Sequence, residues 1–231
     1  MIEGFDFPVE VIRTDRKKSV SIYFEKDSVK VRVPKSLSER RIRELITRRA
    51  PWIKKKIKEV LDRPSVKQKE YVSGETFLYL GRNYRLKVSR GEENSIKLKG
   101  GYLVATTLIN DRSPEETIRS MLVSWYRQHA ENRLGEKTDR LAKIVGVLPN
   151  SIKVRDYKSR WGSCSSSGDI SYNWKIILTP HRIVDYVIVH ELCHLLEHNH
   201  SRQYWKHVER YVSDWRDCRD WLKMNSRSLT I

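Results

Sequence analysis

Cysteine is scarce in this 231-residue chain, and its three copies, Cys164, Cys193 and Cys218, form no Cys-x-x-Cys pair. An odd, scattered set of this kind argues against a disulfide framework. No apolar run approaches the roughly 20 residues needed to cross a bilayer, so no membrane partner is expected. The opening MIEGFDFPVEVIR carries acids where a secretory leader has a basic lead and an unbroken apolar stretch, which points to a soluble, cytoplasmic protein. Internal repeats and low-complexity tracts are lacking. Acidic residues are outnumbered, 29 against 46 Lys and Arg, for a net charge of +17.

What is present excludes disorder. Seven Trp, eleven Tyr and a regular apolar periodicity accompany the charge, and the length suffices for a buried core. The basic excess is steepest in residues 1–70, where 20 basic groups face 11 acidic ones. Such a surface allows non-specific nucleic-acid binding through phosphate neutralisation. No nucleic-acid module accompanies it, so a well-solvated basic surface is the preferred reading.

Alternating apolar residues predict strands at Pro8–Arg13, Ser19–Phe24 and Ser28–Val33, with a turn at Lys26-Asp27-Ser28. A helix follows Pro34, opened by a Ser36/Glu39 capping box and carrying Ile42, Leu45 and Ile46 on one face. Pro51 is expected to break or kink it, with Trp52, Ile53, Ile57, Val60 and Leu61 continuing the stripe. Lys54, Lys55, Lys56 and Lys58 read as its solvated face. Residues 64–70 resemble a linker. Strand signals resume at Tyr71–Leu80, Tyr84–Val88, Ser95–Leu98 and Tyr102–Ala105, with Gly100-Gly101 as a tight turn.

Ser113, Pro114 and Glu116 then start a helix whose buried stripe is Ile118, Met121, Leu122, Trp125 and Tyr126, continued by a core His129. In the last third, strands at Ile152–Arg155 and Ile170–Ile177 flank a polar turn region, Ser159–Gly168. Thr179 and Pro180 open an apolar helix expected to run to Asn199, and a further helix begins near Ser201, burying Trp205, Val208 and Val212.

Within the first of these two helices sits His190-Glu191-Leu192-Cys193-His194, an HExxH motif. A spacing of four on a helix puts both imidazoles on one face, one turn apart, where they can share a tetrahedral zinc ion. Glu191, beside them, is placed to act as general base on the metal-bound water. With 7 His in the chain, chance would supply this motif only about 0.015 times, so accident is a poor explanation.

A third ligand is needed, and His198, His200, Glu197 and His207 are the candidates, with Glu209 further off. His198 would extend the row along the helix axis and recede from the metal. His200 follows Asn199, where the chain can turn back, and is preferred. The tripeptide His198-Asn199-His200 spells a nuclease motif by name only, since such sites spread their residues over a ββα unit. Cys164 and Cys193 read as buried apolar groups rather than a second metal site or a thiol nucleophile. Arg160, Tyr204 and His207 are candidates to stabilise an oxyanion.

The runs SRWGSCSSSGDISYNW at 159–174 and DYVIVHELCHLLEHNHSRQYW at 185–205 closely resemble the YgjP-like metal-dependent hydrolase family. That family is a group of predicted zinc metallopeptidases related to the SprT-like and WLM proteases. The resemblance extends to the V-x-V-R-x-P segment at Val29–Pro34. It implies His190, His194 and His200 as zinc ligands and Glu191 as catalyst. It also implies an edge strand near Asp169–Trp174 that binds an extended polypeptide by main-chain pairing, with Arg160, Trp161 and Ser163 shaping the approach.

The expected fold is α+β, with a β-rich, helix-bearing region over 1–110. A zincin-like catalytic domain follows over 111–231, with the HExxH helix and an antiparallel edge strand. The expected function is zinc-dependent peptide-bond hydrolysis. The alternatives are hydrolysis of a non-peptide bond and a peptidase acting on DNA-bound proteins. A nucleic-acid-binding protein with structural zinc is the weakest reading, because structural zinc normally takes four protein ligands.

Overall fold

The computed structural model describes residues 4–25, 28–61 and 68–231. The expected turn at Lys26-Asp27 and the first four residues of the 64–70 linker lie outside the described residues. The fold is mixed α+β, with five helices and three small sheets among the described residues. No described helix is long and apolar enough to cross a membrane.

Two compact units divide at Ser65/Val66. The first holds β1 (Val9–Thr14), β2 (Ser21–Glu25), β3 (Ser28–Pro34) and α1 (Glu39–Leu61). Central β3 pairs parallel with β1 and antiparallel with β2. Its alternation explains its burial: Val29, Val31 and Val33 go into the core while Arg32 faces out. Ile42, Ile46 and Ile53 of α1 lie fully buried in the same core. Ser38, not Ser36, caps α1, its Oγ accepting from the Arg41 amide at 3.4 Å. The helix runs on through Pro51 instead of ending there. The ring costs one backbone hydrogen bond, and the apolar face on both sides of it remains packed. Trp52 lies off the stripe, 41% exposed. The side chains of Val60 and Leu61 lie outside the described residues.

The second unit begins with β4 (Thr76–Tyr79), β5 (Arg82–Gly91), β6 (Ser95–Lys99) and β7 (Tyr102–Leu108), ordered β4-β5-β7-β6. Gly100 and Gly101 turn β6 into β7 with positive φ of 57° and 80°, the double left-handed step that suits a two-residue hairpin. Tyr71, read as strand, instead precedes β4 with a φ of 58°.

The helix α2 (Pro114–Val145) is 32 residues long and stops at Gly146, whose left-handed φ of 79° lets its amide bond the Ala142 carbonyl. Pro114 occupies the first turn as expected, but Ser113 makes no side-chain cap. His129 is satisfied as a half-buried residue, its Nδ1 2.8 Å from the Trp125 carbonyl. Buried residues recur along α2 from Ile118 to Val145, so one helix spans the four-stranded sheet and the elements that follow it. That packing places β4–β7 in the same compact unit as residues 111–231. The 1–110 grouping would have set them with the first sheet instead.

The remaining elements are β8 (Ser151–Arg155), β9 (Gly162–Cys164), β10 (Asp169–Asn173), a 3₁₀ helix (Trp174–Leu178), α3 (His181–Cys193), α4 (Arg202–Tyr211) and α5 (Trp215–Asn225). The strand expected over Ile170–Ile177 therefore ends at Asn173. Its apolar tail, Trp-Lys-Ile-Ile-Leu, coils into the 3₁₀ helix, a choice that periodicity cannot make for so short a run. The helix expected to reach Asn199 stops at Cys193.

Candidate metal centre

The third sheet is ordered β8-β10-β9, so β10 is its central strand. The edge strand expected near Asp169–Trp174 is instead β9, antiparallel to β10 and inside the segment read as a polar turn. Two anchors hold the β9–β10 hairpin. Asp169 accepts from Ser151 Oγ at 2.6 Å, Ser167 Oγ at 2.7 Å and Asn150 Nδ2 at 2.9 Å. Asn173 donates through its side-chain amide to the Tyr157 and Arg160 carbonyls at 2.9 and 3.1 Å, fixing the approach to β9.

The bond from Ser151, with those from Ser167 and Asn150, holds the Asp169 carboxyl down to about 2. A carboxyl lowered by folding stabilises the fold above its unfolded value near 4, and the contribution fades as the pH falls towards 2. Asp169→Asn should therefore lower the urea midpoint at pH 7, with the gap to the native chain closing below pH 4. A gap constant from pH 7 to pH 3 would show that the carboxylate's charge is immaterial there.

Helix α3 carries the motif. Ile183, Val184, Ile188 and Leu192 are fully buried, which fixes the helix's rotation and turns His190 towards the cleft. The chain leaves the helix at His194 and turns through Leu195 and Leu196. That turn brings His200 back to His190, their Nε2 atoms 3.2 Å apart. The ligand nitrogens of His190, His194 and His200 all lie within 4.8 Å of one another. Two ligands held about 2.0–2.1 Å from a tetrahedral ion sit roughly 3.3 Å apart, so the His190–His200 spacing suits a shared cation.

The chemistry of the three rings agrees. Burial, then the neighbouring His194 and His200, lowers His190 to about 3, leaving a neutral imidazole with a free lone pair at neutral pH. His194 Nδ1 lies 3.3 Å from the Glu197 carbonyl, which can only accept, so Nε2 is its lone-pair nitrogen. His190 Nδ1 is buried and has no hydrogen-bond partner among the described residues. His198 lines the same cleft but stays outside the three-histidine group. Glu209 pairs with Arg216 at 2.8 Å, and neither it nor His207 is among the cleft residues.

Glu191 is 4% exposed and lines the cleft beside the histidines. Burial raises its carboxyl to about 8, against the pull of the Arg160 guanidinium. Gly162 of β9 lies so close that a Cβ there would come within 2.7 Å of Glu191 Cγ and Cδ. Arg160 and Ser163 line the cleft, which encloses about 470 Å³. Ser163 Oγ is 3.0 Å from Tyr157 Oη. Trp161 is half-buried, its carbonyl accepting from the Asn173 backbone N–H at 2.8 Å, and it lines a neighbouring cavity instead. Cys164 also borders the cleft, contrary to its reading as a buried group. Burial pushes its thiol up to about 11, which leaves it protonated and a poor nucleophile. Cys193 is fully buried, as expected.

One supporting residue, Tyr204, had been read as a helper for the oxyanion. It is fully buried and donates to the His190 carbonyl at 2.9 Å. Its ring stacks on His194 at 4.6 Å and meets His200 edge-on at 4.8 Å. It braces the histidines from behind and does not face the cleft. The Ser201 cap, accepting from the Tyr204 amide at 3.1 Å, sets it there. Trp205 stacks between His200 and Trp215 at 5.6 and 4.0 Å. The apolar spacing of Trp205, Val208 and Val212 marks the start of α4 near Ser201, but nothing in the sequence aims these rings at the histidines.

Residues 18–225 match the YgjP-like metallopeptidase domain family. Among curated proteins none matches. The chain is also similar to the crystal structure of the metallopeptidase zymogen of Pyrococcus abyssi abylysin. The similarity is 20% identity over 38% of this chain and 90% of that one, with a TM-score of 0.36, too slight to carry an argument.

Proposed function

The chain belongs to the YgjP-like metallopeptidase family, and from that membership we propose a zinc-dependent peptidase in which His190, His194 and His200 hold the metal and Glu191 is the general base. The observation that carries this reading is the convergence of three imidazole nitrogens within 4.8 Å of one another beside a buried carboxyl.

Zinc bound there would supply Lewis acidity towards an acyl oxygen and a lowered pKa for water. The rest falls to the chain's own groups. Glu191 takes a proton from the attacking water and passes it to the departing amine. It must be ionised to begin, and His190, His194 and His200 would hold beside it a divalent cation that favours that form. Arg160, the cation that acts on Glu191, favours the same ionised form and lines the cleft, where it can pair with charge developing on the acyl oxygen. Tyr204 keeps the histidines in place. The exposed edge of β9 can pair with an extended polypeptide and so bring its backbone past Glu191.

Elemental analysis tests the ligand set. About one zinc per chain is expected in the native protein and in His198→Ala, with most of it lost in His200→Ala. The reverse order would overturn the choice of His200, and no metal in the native chain after zinc reconstitution would sink the hydrolase reading.

A further inference from the structure

A second cavity, of about 340 Å³, adjoins the cleft and shares Arg160, Gly162, His190 and Glu191 with it. Anything occupying it lies beside Glu191, the base that would activate the attacking water. Its walls are Trp161 and Tyr186, and its rim carries Arg219 and Lys223 of α5.

The rim has a sequence logic. Leu222 is buried, and Arg219 and Lys223 flank it four residues apart on one face of α5. Like charges at that spacing repel, and an anion held between them would relieve the repulsion. Arg219 is 49% exposed on its side chain, with its guanidinium 5.1 Å from the Trp215 ring. Its contact with Asp220, 3.5 Å away, is through Nε. With Arg160 the lining has three cations, and its one carboxylate is Glu191, which the proposed reaction already uses.

Resting on the peptidase reading, we infer that this cavity is a specificity pocket for a substrate carboxylate. The carboxylate is either an Asp or Glu side chain next to the cleaved bond or the group that ends the substrate chain. The aromatic walls hold the carbon stem, and the cations pair with the charge at its tip.

The test uses peptides identical but for Glu, Gln or Lys at one walked position, each with a free or amidated C-terminus, cleaved by the zinc-loaded chain and mapped by mass spectrometry. If the pocket takes a side chain, kcat/KM next to Glu should exceed that next to Gln by roughly tenfold, the scale of one charge-assisted contact. If it takes the chain end, free termini should outpace amides by the same factor. Arg219→Glu with Lys223→Glu should invert the preference towards Lys or the amide, and Arg219→Gln with Lys223→Gln should abolish it. Equal rates in both comparisons, or a preference that survives these changes, would overturn the pocket. Calorimetric binding of the same peptides with chelator present separates the two readings. Carboxylate-dependent binding without cleavage under any condition would sink the peptidase reading and keep the pocket. Cleavage without any carboxylate preference would do the opposite.

Discussion

Glu191→Gln should keep its zinc, unfold no more readily than the native chain, and hydrolyse an unfolded protein substrate about 10²–10⁴-fold more slowly, the usual contribution of a positioned general base. The three expectations have one origin. Glu191 is 4% exposed, and burial raises its carboxyl to about 8 because no described group compensates the desolvated charge beyond the distant pull of Arg160. A charge that folding must desolvate costs stability, so the neutral isostere removes a cost. Gln fills the same volume and leaves the three imidazoles untouched, so the metal stays. What Gln cannot do is accept a proton. Reading the melting temperature on the metal-free chain, and zinc content and turnover on the reconstituted one, keeps these effects apart. Turnover equal to the native chain's, with zinc in place, would end the general-base assignment. Lost turnover with lost zinc would instead make Glu191 part of the metal's support.

The sequence exposed the chemistry of this site better than its walls. Two histidines four apart on an apolar helix can be read without a structure, because helical periodicity alone puts them on one face. His200 was preferred over His198 on the premise that the helix reaches Asn199. The helix ends at Cys193, and it is the turn through Leu195 and Leu196 that returns His200 to within 3.2 Å of His190. The first unit's strands were legible because each places Val, Ile, Tyr or Phe at every second position. In contrast, β9 is Gly-Ser-Cys, three residues too short to show an alternation and opened by a glycine that strands disfavour. It exists as a strand only because β10 offers it a ladder and Asn173 ties down its approach. The pairing is tertiary, and no window on the sequence contains it. Helix α5 went unread although Trp215, Cys218 and Leu222 mark a buried face, and with it went the cationic rim beside Glu191.

The same strand makes Gly162→Ala the sharpest test of how the carboxyl is held. Backbone freedom is not the issue, since Gly162 needs no positive φ. Space is. A methyl group there would come within 2.7 Å of both Cγ and Cδ of Glu191, closer than carbon atoms can stand. Glu191 can retreat only by turning into the cleft or the neighbouring cavity that it lines, and the helix beneath it is fixed by fully buried Ile188 and Leu192. Either the carboxyl swings out of line or β9 lifts off α3, and both separate the base from a peptide paired along that edge. Activity should fall at least a hundredfold, on the order of losing the base itself. Zinc should remain, because none of the three histidines borders the new methyl group among its nearest contacts. The cost in stability should be that of overpacking, about 1–3 kcal/mol, read as a lower melting temperature. A Gly162→Ala chain with native turnover would mean that Glu191 works from a different position. A chain that loses its zinc would mean that β9 supports the metal as well as the base.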